Sequence, residues 1–193
     1  MQKPAATQYP IHDLLKTRWS PRAFSDQPVD EPILLSLFEA ARWSPSANNA
    51  QPWAFVVATQ DDPESHAKLV ETLIGFNALW AGSVPVLVLV AAWLNPQAGP
   101  ANRYAFYDVG QAVAHLSVQA TALGLHVHQM AGFDAAKARD LFAVPDDYEP
   151  ITVIAIGYLG DPAALQEALR ERELAPRTRK SLTEFVHRGR WNR

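Results

Sequence analysis

At 193 residues the chain is long enough to bury one substantial core and short for two. Apolar residues make up 48% and charged residues 19%, a globular balance that excludes a disordered chain. There is no cysteine, which excludes disulfides, thiolate metal sites and a thiol nucleophile, and the net charge is only −3.

A first helix is predicted over about residues 10–16, just ahead of Arg18-Trp19-Ser20-Pro21-Arg22. A second starts at Asp30, a capping residue with Pro32 in the first turn. It runs to about residue 43, with Ile33, Leu34, Leu37, Phe38 and Ala41 at helical spacing. A polar loop from Ser44 to Pro52 separates it from a strand over 53–59. Asp62-Pro63 opens a third helix with Leu69, Leu73 and Phe76 on one face. Residues 85–92 are wholly apolar and read as a strand buried on both faces. The surrounding run, Val84 to Leu94, has 11 residues and is too short to cross a bilayer. No basic start followed by an apolar stretch marks a secretory signal, so a cytoplasmic protein with no membrane partner is expected.

A long helix is predicted over about 104–123, ended by Gly124. Its Gly110, Ala112, Ala114 and Ala120 are small enough to let another helix approach closely. A strand over 125–130, a short helix from its cap Asp134 to 141, a strand over 151–158 and a helix over 162–171 follow. About four strands alternating with helices make one three-layer α/β or α+β domain. Residues 175–193 form an extended basic arm. From Pro176 onward, Arg177, Arg179, Lys180, Arg188, Arg190 and Arg193 against Glu184 leave it at +5, with −8 on the rest of the chain. Such an arm suits an anionic ligand, a nucleic acid or a partner subunit. With no nucleic-acid module elsewhere, nucleic acid is not expected.

Arg18-Trp19-Ser20-Pro21-Arg22 sets two guanidinium groups and a hydroxyl where a helix gives way to a turn, and Arg177-Thr178-Arg179 repeats the chemistry. Guanidinium forks bind phosphate in a bidentate way. The Ser44–Pro52 loop gathers two Asn, a Gln and two Ser, whose donors and acceptors match the edge of a flat heteroaromatic ring. The same residues equally satisfy a loop's own backbone through Asx and Ser turns. Together the clusters suggest a ligand with a phosphate at one end and a polar ring at the other. The common glycine-rich nucleotide loops are absent. His115, His126 and His128 lack the carboxylate or thiolate partners of a metal site, and no metal is expected.

Arg18-x-Ser20-x-Arg22-x-Phe24, followed by Ser44-Pro45-Ser46-x-x-Asn49-x-Gln51-Pro52-Trp53-x-Phe55, resembles the N-terminal signature of the FMN-dependent nitroreductase family. The order continues through Asn77, Trp80, Tyr107-Asp108-Val109-Gly110, Leu123-Gly124-Leu125, Gly132-Phe133-Asp134 and Ile154-Ala155-Ile156-Gly157-Tyr158 to Arg177-x-Arg179, spanning about residues 10–182. The resemblance implies an α+β, three-layer α/β/α fold with a mostly antiparallel sheet, whose C-terminal arm extends over a partner subunit in a homodimer. It implies FMN as cofactor and NADH or NADPH as reductant, with nitroaromatics, quinones or related electron-poor molecules reduced by a ping-pong mechanism. Arg18, Ser20, Arg177 and Arg179 would hold the FMN phosphate and ribityl chain, with Trp19 in the pocket wall where smaller or basic residues are usual. Arg22 would be the catalytic residue, beside the pyrimidine edge of the flavin, with Asn77 near that edge. The backbone of Met130, Ala131 and Gly132 would face the ring. Pro45, Ser46, Ala47, Asn49 and Gln51 would reach the flavin from the other protomer, while Asn48, outside the motif, is expected to tolerate change. Ala47 stands where many relatives have Ser. A flavin binder without turnover, or flavin fragmentation or reductive dehalogenation on the same fold, are the alternative readings.

Overall fold

The computed structural model describes residues 2–94 and 101–191; Arg193, counted in the basic arm, lies outside them. In chain order the elements are α1 (Asp13–Thr17), α2 (Glu31–Arg42), β1 (Trp53–Thr59), α3 (Pro63–Val70), β2 (Val86–Trp93), α4 (Ala105–Ala122), β3 (His126–Met130), α5 (Ala135–Leu141), β4 (Tyr148–Gly157) and α6 (Glu167–Leu174). The strands form one sheet in the order β1-β2-β4-β3, with every pairing antiparallel. β2 lies inside the sheet, and its residues from Val86 to Ala92 are buried whichever face they point to, as their unbroken apolar run requires.

Helices cover both faces. Leu34, Leu37 and Ala41 of α2 and Val109, Val113 and Leu116 of α4 pack on Val86, Val88, Val90, Ile154 and Ile156. On the other face, Leu69 of α3, Ala138 of α5 and Leu169 of α6 meet Leu87, Leu89, Val153 and Ala155. This is the three-layer α/β/α arrangement expected. α4 ends as its glycine foretold: Gly124 takes φ +77°, its N–H bonds Thr121 O, and Leu125 N–H reaches Ala120 O at 2.8 Å. That is the paired Schellman closure, and Leu125 is fully buried behind it.

Four boundaries differ from the sequence reading, each for a local reason. α1 begins at Asp13 because His12 caps it, its Nδ1 accepting the Leu14 N–H at 3.2 Å. α3 stops at Val70, so Leu69 and Leu73 are buried while Phe76, in a 3₁₀ turn beyond Gly75, is half exposed. β4 starts at Tyr148 and contains Pro150, which pairs at the register break between Val90 and Ala91. A residue without an N–H fits a bulge better than a regular ladder. The predicted helix over 162–171 is split into a 3₁₀ turn, Pro162–Ala164, an extended Leu165-Gln166 joint, and α6. The small residues of α4 divide as well: Ala112 and Ala120 are buried, whereas Gly110 and Ala114 face outward. Among the described residues no helix is long and apolar enough to cross a membrane.

The strap after Arg22 runs beside the end of β4, where Phe24 bridges Leu159, Ser25 N–H bonds Tyr158 O and Gly160 N–H bonds Ala23 O at 2.9 Å. A Cβ on Gly160 would lie 2.4 Å from Phe24 O, a backbone atom that cannot swing away. Gly160→Ala is therefore expected to destabilise the protein by about 1–3 kcal/mol, the usual range for forced overpacking. Chemical denaturation checks this, and an unchanged midpoint contradicts it.

Candidate functional site

Arg18, Trp19, Ser20 and Arg22 come together with Arg177 and Arg179 around one cleft of about 270 Å³, joined by Lys3 and Arg172. The chain supplies them from its two ends: α1 hands over to Arg18, and the stretch after α6 returns past it. Arg177 Nη1 ties the two together, donating to Lys3 O at 2.6 Å and to Lys16 O at 3.1 Å. Burial, then the neighbouring Arg179 charge, lowers the pKa of Arg18 from its ordinary value. Burial, then Arg18 and Arg179, does the same to Arg177. Both remain cations at any ordinary pH. Three mutually repelling guanidinium groups with no acid among the cleft-lining residues form a site for a compact anion.

The cleft opens beside β3, an edge strand. Trp19 is buried with Lys3 Nζ 5.1 Å above its ring and His126 6.1 Å from it edge-on, and its indole N–H has no partner among the described residues. His128 lies two residues along the same face, its Nδ1 donating to Pro21 O at 2.7 Å and its ring against Trp80. Beyond β3, Asn77 Nδ2 donates to Gly132 O at 3.1 Å, and a Cβ on Gly132 would strike that amide at 2.7 Å. The glycine thus lets the turn close on Asn77, and its own N–H donates to no acceptor among the described residues. Met130 is only 2% exposed and its carbonyl accepts the Thr152 hydroxyl at 2.9 Å; Ala131 is exposed. Arg172 lies over Phe76 with its guanidinium carbon 4.1 Å from the ring centre, bridging α6 to the Asn77 turn.

The amide-rich loop is elsewhere. Pro45, Ser46, Ala47, Asn49 and Gln51 precede Trp53, which pairs with Ala92 on the β1 edge. The arginine cleft adjoins His126, which pairs with Gly157 on the β3 edge at the other end of the strands. Three strand spacings one way and some seven residues the other put the two clusters roughly 27 Å apart. One chain cannot close both on a single small molecule. The loop is nevertheless held in shape: Ser44 Oγ meets His115 Nδ1 at 2.7 Å, Ala47 N–H donates to the buried Asp108 at 3.0 Å, and Gln51 N–H donates to Ser46 Oγ at 3.0 Å. Asn48, Asn49 and Gln51 all adopt positive φ, between 48° and 55°. Asn48 therefore carries a backbone requirement the sequence did not reveal. Gln51 is a stronger outlier, of the kind that persists where function requires the shape.

Three residues escaped the sequence reading. Asp108 stood only inside the Tyr107-Asp108-Val109-Gly110 motif with no role of its own, and His115 only as a rejected metal ligand. Glu173 was masked by the charged run Glu171-Arg172-Glu173, although it is 1% exposed and binds the Arg22 and Ala23 backbone.

Burial holds His126 and His128 far below the ordinary histidine value, at about 4, with Arg18 and Arg22 respectively adding to the effect. Both are neutral at pH 7. The unfolded chain, titrating near 6.5, takes up these protons first, so there is no penalty above that pH and a growing one as pH falls toward 4. Each unit is worth at most about 1.4 kcal/mol per histidine, and less for the more exposed His126. The thermal midpoint is expected to fall between pH 7 and pH 5, and His128→Asn to flatten that fall. A pH-independent midpoint over this window contradicts the assignment.

The nitroreductase family model matches residues 15–77 and 75–158. A Xanthomonas oryzae pv. oryzae protein, provisionally named NADH dehydrogenase/NAD(P)H nitroreductase, is 32% identical over 80% of this chain and 87% of its own length. A solved oxidoreductase described as containing FMN is 35% identical, covers 97% of this chain and 96% of its own, and superposes with a TM-score of 0.92. A nitroreductase family protein from Clostridium difficile 630 is 27% identical over 92% of this chain and 97% of its own, with a TM-score of 0.72. By the length matched, the identity and the shared fold, this chain belongs to the nitroreductase family.

Proposed function

We propose that the protein is an NAD(P)H-dependent FMN oxidoreductase whose flavin sites are completed across a homodimer. The observation that carries this reading is the convergence of Arg18, Arg177 and Arg179 on one cleft with no acid among its lining residues. The FMN held by the 35% identical solved oxidoreductase and the nicotinamide activity in the Xanthomonas protein's name support it. So does the edge of β3, where the Gly132 N–H, without an acceptor among the described residues, and the Asn77 amide stand beyond the cleft.

In this reading Arg18, Arg177 and Arg179 bind the FMN phosphate, Ser20 meets the ribityl chain and Trp19 walls the pocket. Arg22 and Asn77 address the pyrimidine edge, and the backbone at Met130, Ala131 and Gly132 lies along the ring. FMN, when bound, would supply the two-electron chemistry between NADH or NADPH and a nitroaromatic, quinone or related electron-poor substrate, which also takes up protons from water. The protein contributes position and charge. Arg22 stabilises the negative charge that gathers at the pyrimidine edge on reduction, and a backbone donor at Gly132 adds to it. One site serving reductant and substrate in turn would give ping-pong kinetics.

The partner supplies what the single chain places too far away. Pro45, Ser46, Ala47, Asn49 and Gln51 stand at the opposite corner of the sheet in a fixed conformation, and a two-fold axis brings that corner of each chain to the cleft of the other. The outward face of α4 and the terminal segments leave Ile11, Leu15, Tyr107, Leu182, Phe185 and Trp191 between 40% and 79% exposed, a surface suited to a second copy. The basic arm reaches over the partner in the same assembly.

The purified protein is expected to be yellow and to be bleached by NADH or NADPH under nitrogen; a yellow protein that neither bleaches is a flavin binder without turnover. Arg22→Ala is expected to retain FMN and slow flavin reduction by about 10²-fold, the scale of losing one preorganised charge donor. Stopped-flow absorbance reads this rate, and an unchanged rate removes Arg22 from the chemistry. Gly110 lies on the outward face of α4 with nothing within 4 Å of where a Cβ would stand, so a large residue is harmless to the single chain. Gly110→Arg is expected to yield monomers that lose FMN, measured by light scattering and flavin absorbance. A monomer that keeps its flavin contradicts the shared site.

A further inference from the structure

Glu173, in the last turn of α6, is 1% exposed and faces a crowd of cations. Its two oxygens each accept the Arg22 N–H at 3.0 Å, and Oε1 also accepts the Ala23 N–H at 3.2 Å. Oε2 lies 3.8 Å from Arg22 Nη1. Its own carbonyl oxygen accepts Lys3 Nζ, so the residue sits where the N-terminal segment, the arginine strap and the start of the basic arm meet. A neutral amide or hydroxyl could accept backbone N–H bonds at such a point. A carboxylate is a costly choice in a buried place unless its charge is compensated, and here the Arg22 guanidinium compensates it. Charge compensation acts both ways: whatever Arg22 does to a neighbouring ligand, Glu173 moderates.

Resting on the FMN oxidoreductase reading above, we propose that Glu173 is a positioning residue for the flavin reaction. It fixes the backbone that presents Arg22 and offsets part of the guanidinium's pull on negative charge at the pyrimidine edge. The flavin potential is thereby held lower than Arg22 alone would set it, which keeps the reduced enzyme a stronger donor to its second substrate. An acid placed solely to cap two N–H groups would leave the potential to Arg22 and the backbone.

The test is the midpoint potential of bound FMN, measured by dye-coupled reductive titration, in Glu173→Gln, Glu173→Asp, Arg22→Gln and Arg22→Gln/Glu173→Gln. Glu173→Gln is expected to retain FMN and move the potential to more positive values. Introduced into Arg22→Gln, the same change is expected to move it much less, because the effect runs through Arg22. Glu173→Asp keeps the charge but draws it back by one methylene, so the potential shifts less than in Glu173→Gln while flavin reduction slows several-fold. FMN-loaded Glu173→Gln with the wild-type potential overturns the proposal, as does an undiminished shift in the double variant. Should Glu173→Gln fail to fold, Glu173→Asp with both wild-type potential and wild-type reduction rate overturns it as well. A wild-type protein that neither binds FMN nor is bleached by NADH or NADPH defeats the underlying function instead, so the two failures are distinguishable.

Discussion

The candidate site depends on how the segment from Arg18 to Ser25 is fastened, because that segment has almost no secondary structure of its own. Its far end is stitched to β4 by the Ala23, Phe24 and Ser25 backbone, and its middle is held by the Glu173 carboxylate from α6. Its near end leaves α1, whose Lys16 carbonyl accepts from Arg177. Arg18, Arg177 and Arg179 repel one another in this neighbourhood, and left to themselves flexible side chains would splay into water. They converge because the backbones that carry them are bonded to rigid elements. The geometry of the cleft is thus a property of the sheet and α6, conveyed through hydrogen bonds to a strap.

The sheet also explains why the cleft and the amide-rich loop stand apart. Strand order β1-β2-β4-β3 puts β1 and β3 on opposite edges, and the antiparallel register puts the start of β1 and the start of β3 at opposite ends. A loop before β1 and a strap beside the start of β3 therefore occupy diagonal corners. No side-chain rearrangement closes such a gap. In the proposed dimer this separation is what makes the design work, since a two-fold axis converts a diagonal in one chain into a contact between two. The loop is accordingly rigid before any partner arrives, through Asp108, His115 and a run of positive φ angles.

Much of this was legible in the sequence, and what was not has physical causes. The unbroken apolar run of β2 disclosed a strand buried on both faces, and Gly124 disclosed the end of α4, because both signals are local. The arginine motifs were legible as anion binders, since guanidinium chemistry does not depend on context. Pro150 concealed the true start of β4, because a bulge that excuses a missing N–H is formed with a distant partner strand. Phe76 followed the helical spacing of Leu69 and Leu73 but falls beyond Val70, where the helix has already ended. Glu173 was indistinguishable from Glu167 and Glu171 until folding buried it and left Glu167 and Glu171 in solvent. Asn48 looked interchangeable because the positive φ it must adopt is set by its neighbours.

The same comparison separates two kinds of residue by what they do to stability. The core clusters on the two faces of the sheet are apolar and closely packed, and they favour folding whatever binds. The site works against it: Arg18, Arg177 and Arg179 repel, burial resists the protonation of His126 and His128, Trp19 buries an N–H with no partner among the described residues, and Gln51 keeps a strained backbone. Each of these penalties is relieved by a different kind of partner. In the proposed assembly a phosphate would quench the guanidinium repulsion, and a second chain would engage the strained loop. Folding, cofactor binding and the proposed dimerisation would then be linked, because a ligand that binds the folded state adds to its stability by mass action. The liabilities that the core must carry in the isolated chain are the complementary surface that an anion, a flat ring and a second copy would each complete.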